Sequence, residues 1–81
     1  ALTDQQRQRL QEIREKNSEK MGELMEQMEE RQRELYRLNQ APDPDYDAMR
    51  ETTKAIGELQ QQMAKERIEA RKQMHEAVTD N

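Results

Sequence analysis

In the first half of the chain the apolar side chains fall at Leu10, Ile13, Met21, Leu24, Met28, Leu35 and Leu38, with charged or amide residues at most positions between them. Steps of three and four residues line such side chains along one stripe of an α-helix, so the pattern predicts a long amphipathic helix over about 4–39. The stripe is not a clean heptad. Leu10 to Met21 is an eleven-residue step bridged by the polar Asn17, which locally unwinds a supercoil and lets the helix straighten or bend. Asn17, Ser18 and Gly22 make this its weakest stretch. A second stripe, Met49, Thr52, Ile56, Leu59 and Met63, thins to Ala70, Met74 and Ala77 or Val78. It predicts a second helix over about 44–78.

Local signals mark where each helix begins. In Leu2-Thr3-Asp4-Gln5-Gln6, Thr3 is the expected N-cap: its hydroxyl accepts from the Gln6 N–H, and the Gln6 side chain reaches back to the Thr3 N–H. Both prolines of the chain lie in Gln40-Ala41-Pro42-Asp43-Pro44-Asp45-Tyr46-Asp47. Proline lacks an N–H and biases its predecessor away from the α region, so Pro42 is expected to end the first helix near Asn39, with a bend over about 40–43. Asp43 is the expected N-cap of the second helix, with Pro44 at its first position and Asp45 and Asp47 in the first turn, where carboxylates favour the positive end of the dipole. The predicted fold is all-α, a long antiparallel helical hairpin. With the bend there, facing residues have numbers summing to about 87, which pairs Leu38 with Met49, Leu35 with Thr52, Met28 with Leu59, Leu24 with Met63 and Ile13 with Met74. Glu12–Lys16 and Glu29–Arg33 are candidate ion pairs along the first helix.

Composition then limits what this hairpin can be. With 81 residues, 31% hydrophobic and 40% charged, two tyrosines and neither Phe nor Trp, the chain can fill only a thin seam. A lone hairpin with so narrow a core, and with Met25, Ile68 and Val78 outside it, is expected to assemble into a homo-oligomeric bundle, a homodimer or larger, with Ile68 and Val78 at the contact. A net charge of −4 with acids and bases interspersed gives no footprint for nucleic acid. No apolar run is long enough for membrane insertion, and no cysteine is present for disulfides or thiolate metal sites. The start at Ala1 suggests a mature or trimmed piece of a slightly longer chain.

Two groups of side chains are candidates for chemistry. Met21, Met25 and Met28, with Leu24 among them, repeat at helical spacing. Thioethers so placed bind Cu(I), present an adaptable apolar surface to unfolded proteins, or simply fill the seam. Met25 discriminates between these readings, because it lies beside the seam. His75 is the single histidine. In the expected register Glu12 and Glu15 stand at a height to share a zinc ion with it, within one chain or with a carboxylate of another chain, whereas the plain alternative is a solvated histidine near the negative end of a helix. The acids between Glu19 and Glu34 lack EF-hand spacing. There is no phosphate loop, no nucleophile–base constellation and no room for a pocket, so an enzyme is not expected.

Leu2-Thr3-x-x-Gln6 opening a helical hairpin, and Val78-Thr79-Asp80-Asn81 starting what looks like a second copy of the motif, resemble the Spy- and CpxP-like LTXXQ-motif family of the bacterial periplasm. Arg33-Glu34-Leu35-Tyr36-Arg37-Leu38-Asn39 before the Pro- and Asp-containing bend, then Ile56-Gly57-Glu58-Leu59-Gln60 and Glu66-Arg67 through Met74, are most similar to its zinc-resistance-associated branch. The resemblance implies a periplasmic protein that oligomerises through its hairpins, acts as an ATP-independent chaperone for unfolded periplasmic proteins or as a metal-linked accessory of envelope stress, and in some members restrains a sensor kinase. The rival expectations are a zinc- or copper-binding sensor or storage protein regulating a two-component system, and a structural coiled-coil module with neither client nor ligand.

Overall fold

The computed structural model describes residues 1–79 and consists of two helices, α1 (Asp4–Gln40) and α2 (Tyr46–Thr79). They form an antiparallel hairpin 61 × 14 × 12 Å in extent. The fold is the all-α hairpin that the apolar periodicity predicts, with no strand among the described residues.

The expected capping box opens α1. The Gln6 N–H donates to Thr3 Oγ1 at 3.0 Å and the Thr3 N–H donates to Gln6 Oε1 at 2.8 Å. Two of the donors that a helix start leaves without an internal partner are thus satisfied reciprocally. At the other end α1 runs one residue past Asn39. Pro42 excludes only its immediate predecessor from the α region, so Ala41 is extended (φ −67°, ψ 135°) and Gln40 stays helical. The Ala41 N–H still donates to the Leu38 carbonyl at 3.4 Å.

The cap of α2 lies two residues beyond the one expected. Asp45, not Asp43, is the N-cap: its carboxylate accepts from the Ala48 N–H at 3.0 Å and its carbonyl from the Met49 N–H at 3.1 Å. Pro44 precedes the cap instead of opening the helix, and the link is the five residues 41–45. A short link serves at either position, so it is the Asp45 hydrogen bonds, and not the distance to be crossed, that identify the cap.

Axial register is the second correction. The Asn17 side-chain amide donates to the Glu66 carbonyl across the seam at 3.4 Å, which sets Asn17 level with Glu66 instead of Ala70. The most buried apolar side chains fit the same offset, which sets Ile13 level with Ala70 and Leu24 with Leu59. At the open end a groove lined by Leu2, Gln6, Arg9, Gln73, Ala77 and Val78 keeps that alignment. The helices are therefore shifted by one turn from the expected pairing. A four-residue slide brings nearly the same face of a helix back to the seam, so the stripe itself does not resist it.

The core is as thin as composition requires. Only Ile13, Leu24, Leu59, Ala70 and Thr52 are buried among the described residues. Leu10, Met21, Met28, Leu35 and Leu38 on α1, and Met49, Ile56, Met63 and Met74 on α2, are half-buried. The described ion pairs are all i,i+3 and exposed: Arg7–Asp4, Arg9–Glu12 (3.7 Å), Arg31–Glu34 (2.9 Å) and Arg50–Asp47. Glu12 thus pairs with Arg9 rather than Lys16, and each such pair contributes only a few tenths of a kcal/mol, roughly 0.2–0.5.

Candidate functional site

Helix geometry decides which side of the hairpin carries its chemistry. Met21, Met28, Ile56, Met63 and Met74 each follow a seam residue by four positions, namely Asn17, Leu24, Thr52, Leu59 and Ala70. Four residues at 3.6 per turn rotate a side chain about 40° past its predecessor, always in the same sense. In an antiparallel pair the same rotation on both helices leads to the same side of the hairpin. Met25, one residue past Leu24, and Met49, three before Thr52, turn the same way. All six methionines of the chain therefore share one face.

The opposite rotation gives a different surface. Three residues past seam positions stand Lys20, Gln27, Ala55, Gln62 and Gln73, so that side carries no methionine and is mostly polar. The methionine face is lined at its margins by Arg14, Ser18, Gln32, Thr53, Gln60 and Arg67, with Glu29 one turn past Met25. This one-sidedness had a sequence signal, the repeated four-residue step from seam residue to methionine. Reading it needs the seam to be known, because the stripe alone does not separate the buried line from its flank.

Of the residues singled out for client contact, the structure separates two kinds. Leu24 is 3% exposed and belongs to the buried seam, so it is not available to a partner while the hairpin is closed. Met21 and Met28 are half-buried on the open side. Met25 is 50% exposed, beside the seam, as its position predicts. Ile68 is the most exposed large apolar residue at 69%, on the outside of α2, and Val78 (39%) lies with Leu2 (38%) at the open end. Tyr36 and Tyr46 are exposed as well.

The expected zinc group is not brought together. His75 stands five residues past buried Ala70, about 140° around α2, and so points away from the seam. The one-turn shift also sets it level with Gln8 instead of Glu12. Glu12 is exposed and paired with Arg9, while Glu15 accepts from the Gln11 amide at 3.0 Å. Among the described residues no cluster of three or more His, Asp or Glu side chains is close enough to hold a metal ion. The second copy of the motif is described only through Thr79, the last residue of α2, whose hydroxyl donates to the His75 carbonyl at 2.8 Å. Asp80 and Asn81 lie outside the described residues.

Two shallow hollows on the outside of α1 had no counterpart in the sequence reading. One, about 450 Å³, surrounds Tyr36 with Glu29, Gln32, Arg33 and Arg37, and another of similar size lies among Glu23, Glu26, Gln27, Glu30 and Arg33. Both are ordinary spaces between long side chains on one helix, where residues three and four apart are neighbours.

No helix among the described residues is long and apolar enough to cross a membrane. Taken together, a two-helix hairpin with a capping box at its open end and a methionine face along its length defines a small helical-hairpin protein built around a surface instead of a pocket. The chain belongs to the heavy-metal resistance family, whose profile matches residues 1–80. No curated protein and no solved structure matches it.

Proposed function

We propose that this heavy-metal resistance protein is a non-enzymatic periplasmic chaperone of the LTXXQ group, on its zinc-resistance-associated branch, acting without ATP in the envelope-stress response. It shields apolar segments of proteins that unfold under metal stress. The observation that carries this reading is the one-sided methionine face, on which Met25 is half exposed beside half-buried Met21 and Met28. Methionine is unbranched and polarizable and repacks around differently shaped partners, which suits a surface that must accept many apolar sequences. The margin of Ser, Thr, Gln and Arg keeps such a surface in water when it is empty.

The same face supports self-association. A compact protein of 9.7 kDa is expected to expose about 5,100 Å² of surface, whereas this chain exposes 6,708 Å². The excess is of order 1,600 Å², about twice what one partner contributes to a standard-sized interface. That excess comes with the elongated shape of the hairpin and leaves area for a second hairpin to pair along it.

The test is aggregation of a denatured model protein followed by light scattering, with and without equimolar hairpin. Suppression is expected, and Met25→Glu is expected to weaken it while leaving helicity unchanged, because the residue lies outside the buried seam. No suppression at equimolar protein would sink the proposal. Sedimentation across a concentration series gives the assembly state, and a monomer at every concentration would remove self-association.

A further inference from the structure

Packing alone does not explain where this chain uses sulfur. Its buried apolar positions are Ile13, Leu24, Leu59 and Ala70, while all six methionines lie on the open face. Two of them stand near the same height on either side of the seam: the Asn17–Glu66 bond sets Met21 and Met63 within about one helical turn of each other. Both are half-buried and rotated to the same side. Met25 follows Met21 by one turn, a separation of about 5–6 Å between Cβ atoms. At 50% exposed it contributes little to the core.

We propose that Met21 and Met63, opposite each other across the seam, with Met25 one turn further along α1, form a thioether site for a soft monovalent cation, Cu(I) or Ag(I). Neutral sulfur ligands select soft ions and bind zinc and harder divalent cations poorly. Of the flanking residues, Ser18 and Gln60 are neutral and Arg14 and Arg67 cationic, while Glu29 stands one turn past Met25 and half-buried Glu66 three residues past Met63, so the choice of ion rests on the sulfur ligands themselves. The unbranched side chains can turn their sulfurs onto one ion without moving either helix. Met49 and Met74 share the face but lie about 21 Å and about 16 Å along α2 from Met63, too far to join it.

Leucine substitutions test the site separately from the chaperone reading, since leucine keeps the apolar surface and removes the sulfur. Ag(I) as the nitrate, and Cu(I) under anaerobic conditions, are titrated into full-length protein carrying 13C-methyl methionine. One ion per chain is expected, shifting the ε-methyl signals of Met21, Met25 and Met63 while those of Met49 and Met74 stay put. Met21→Leu, Met25→Leu and Met63→Leu should each weaken binding by about tenfold or more. Met49→Leu and Met74→Leu should change it by less than about twofold. The triple leucine variant should lose Ag(I) yet still suppress aggregation. No saturable binding below about 100 µM, equal losses from Met49→Leu and Met63→Leu, or Zn(II) moving the same three methyl signals would each overturn the assignment.

Discussion

Leu24→Ala is the most direct probe of how this hairpin is held together. The substitution removes three carbons from a site that is 3% exposed. At about 0.8 kcal/mol per buried methylene-sized group, the lost transfer energy is about 2.4 kcal/mol. In a closed core the residual cavity would add to this, and buried Leu→Ala changes reach about 5 kcal/mol. Here the seam is only two helices thick, and Met21, Met28 and Met63 beside it are half-buried, so the gap opens to solvent or to a flexible neighbour. The expected cost is therefore about 2–3 kcal/mol, near the lower end of that range. For a chain of this length it corresponds to a fall in Tm of roughly 10–20 °C. The control is Met25→Ala, one residue away and 50% exposed, for which the loss should stay below about 1 kcal/mol. Helicity at 222 nm, followed against temperature at two protein concentrations, measures both variants and shows any contribution from assembly. If Leu24→Ala melts no lower than Met25→Ala at matched concentration, the seam is not the core and the energetic reasoning fails.

The cap assignment is checked by comparing Asp45→Ala, expected to cost about 1 kcal/mol in thermal or urea unfolding, with Asp43→Ala, expected to change stability by less than about 0.5 kcal/mol. Gly22 and Gly57 lie inside helices, neither has positive φ, and a Cβ at either meets open space. Gly22→Ala and Gly57→Ala should therefore each stabilise by about 0.5–1 kcal/mol, read as a rise in Tm, and a fall at either position would show a close approach that the hairpin does not have. Register is tested by disulfide trapping in this cysteine-free chain. Leu24→Cys with Leu59→Cys should oxidise to an intramolecular crosslink readily, and Leu24→Cys with Met63→Cys slowly, since a disulfide needs Cα atoms within about 7 Å. The reverse order would restore the pairing that the apolar stripes alone suggest.

Elements whose causes are local were legible in the residues. The capping box at Thr3 and Gln6 needs only the spacing of two side chains on one turn, and the stop before Pro42 needs only the ring of one residue. Met25 could be placed beside the seam because its angle from Leu24 follows from helix pitch alone. Asp43 and Asp45 were less separable, since either carboxylate can cap a helix after a proline. The hydrogen bonds from the Ala48 and Met49 N–H groups identify Asp45.

The candidate site was harder to read because it depends on two helices at once. His75 with Glu12 and Glu15 looked like a metal group only while one register was assumed, and a shift of one turn dissolved it. Leu24 looked like part of a binding surface because its neighbours in sequence are methionines, yet it is the residue their helix buries. The sequence by itself determined two amphipathic helices, the cap of the first, the place of the bend between them and the thinness of the core, since each follows from local backbone chemistry or from counting apolar residues, whereas the cap of the second helix did not. Only the tertiary structure decided the axial register, and with it which side chains stand level across the seam and that the methionines of both helices share one face. The reason is physical: helical periodicity repeats nearly every four residues, so the apolar pattern chooses a face but does not by itself choose the position along it. The length of the bend and the Asn17–Glu66 hydrogen bond break that degeneracy.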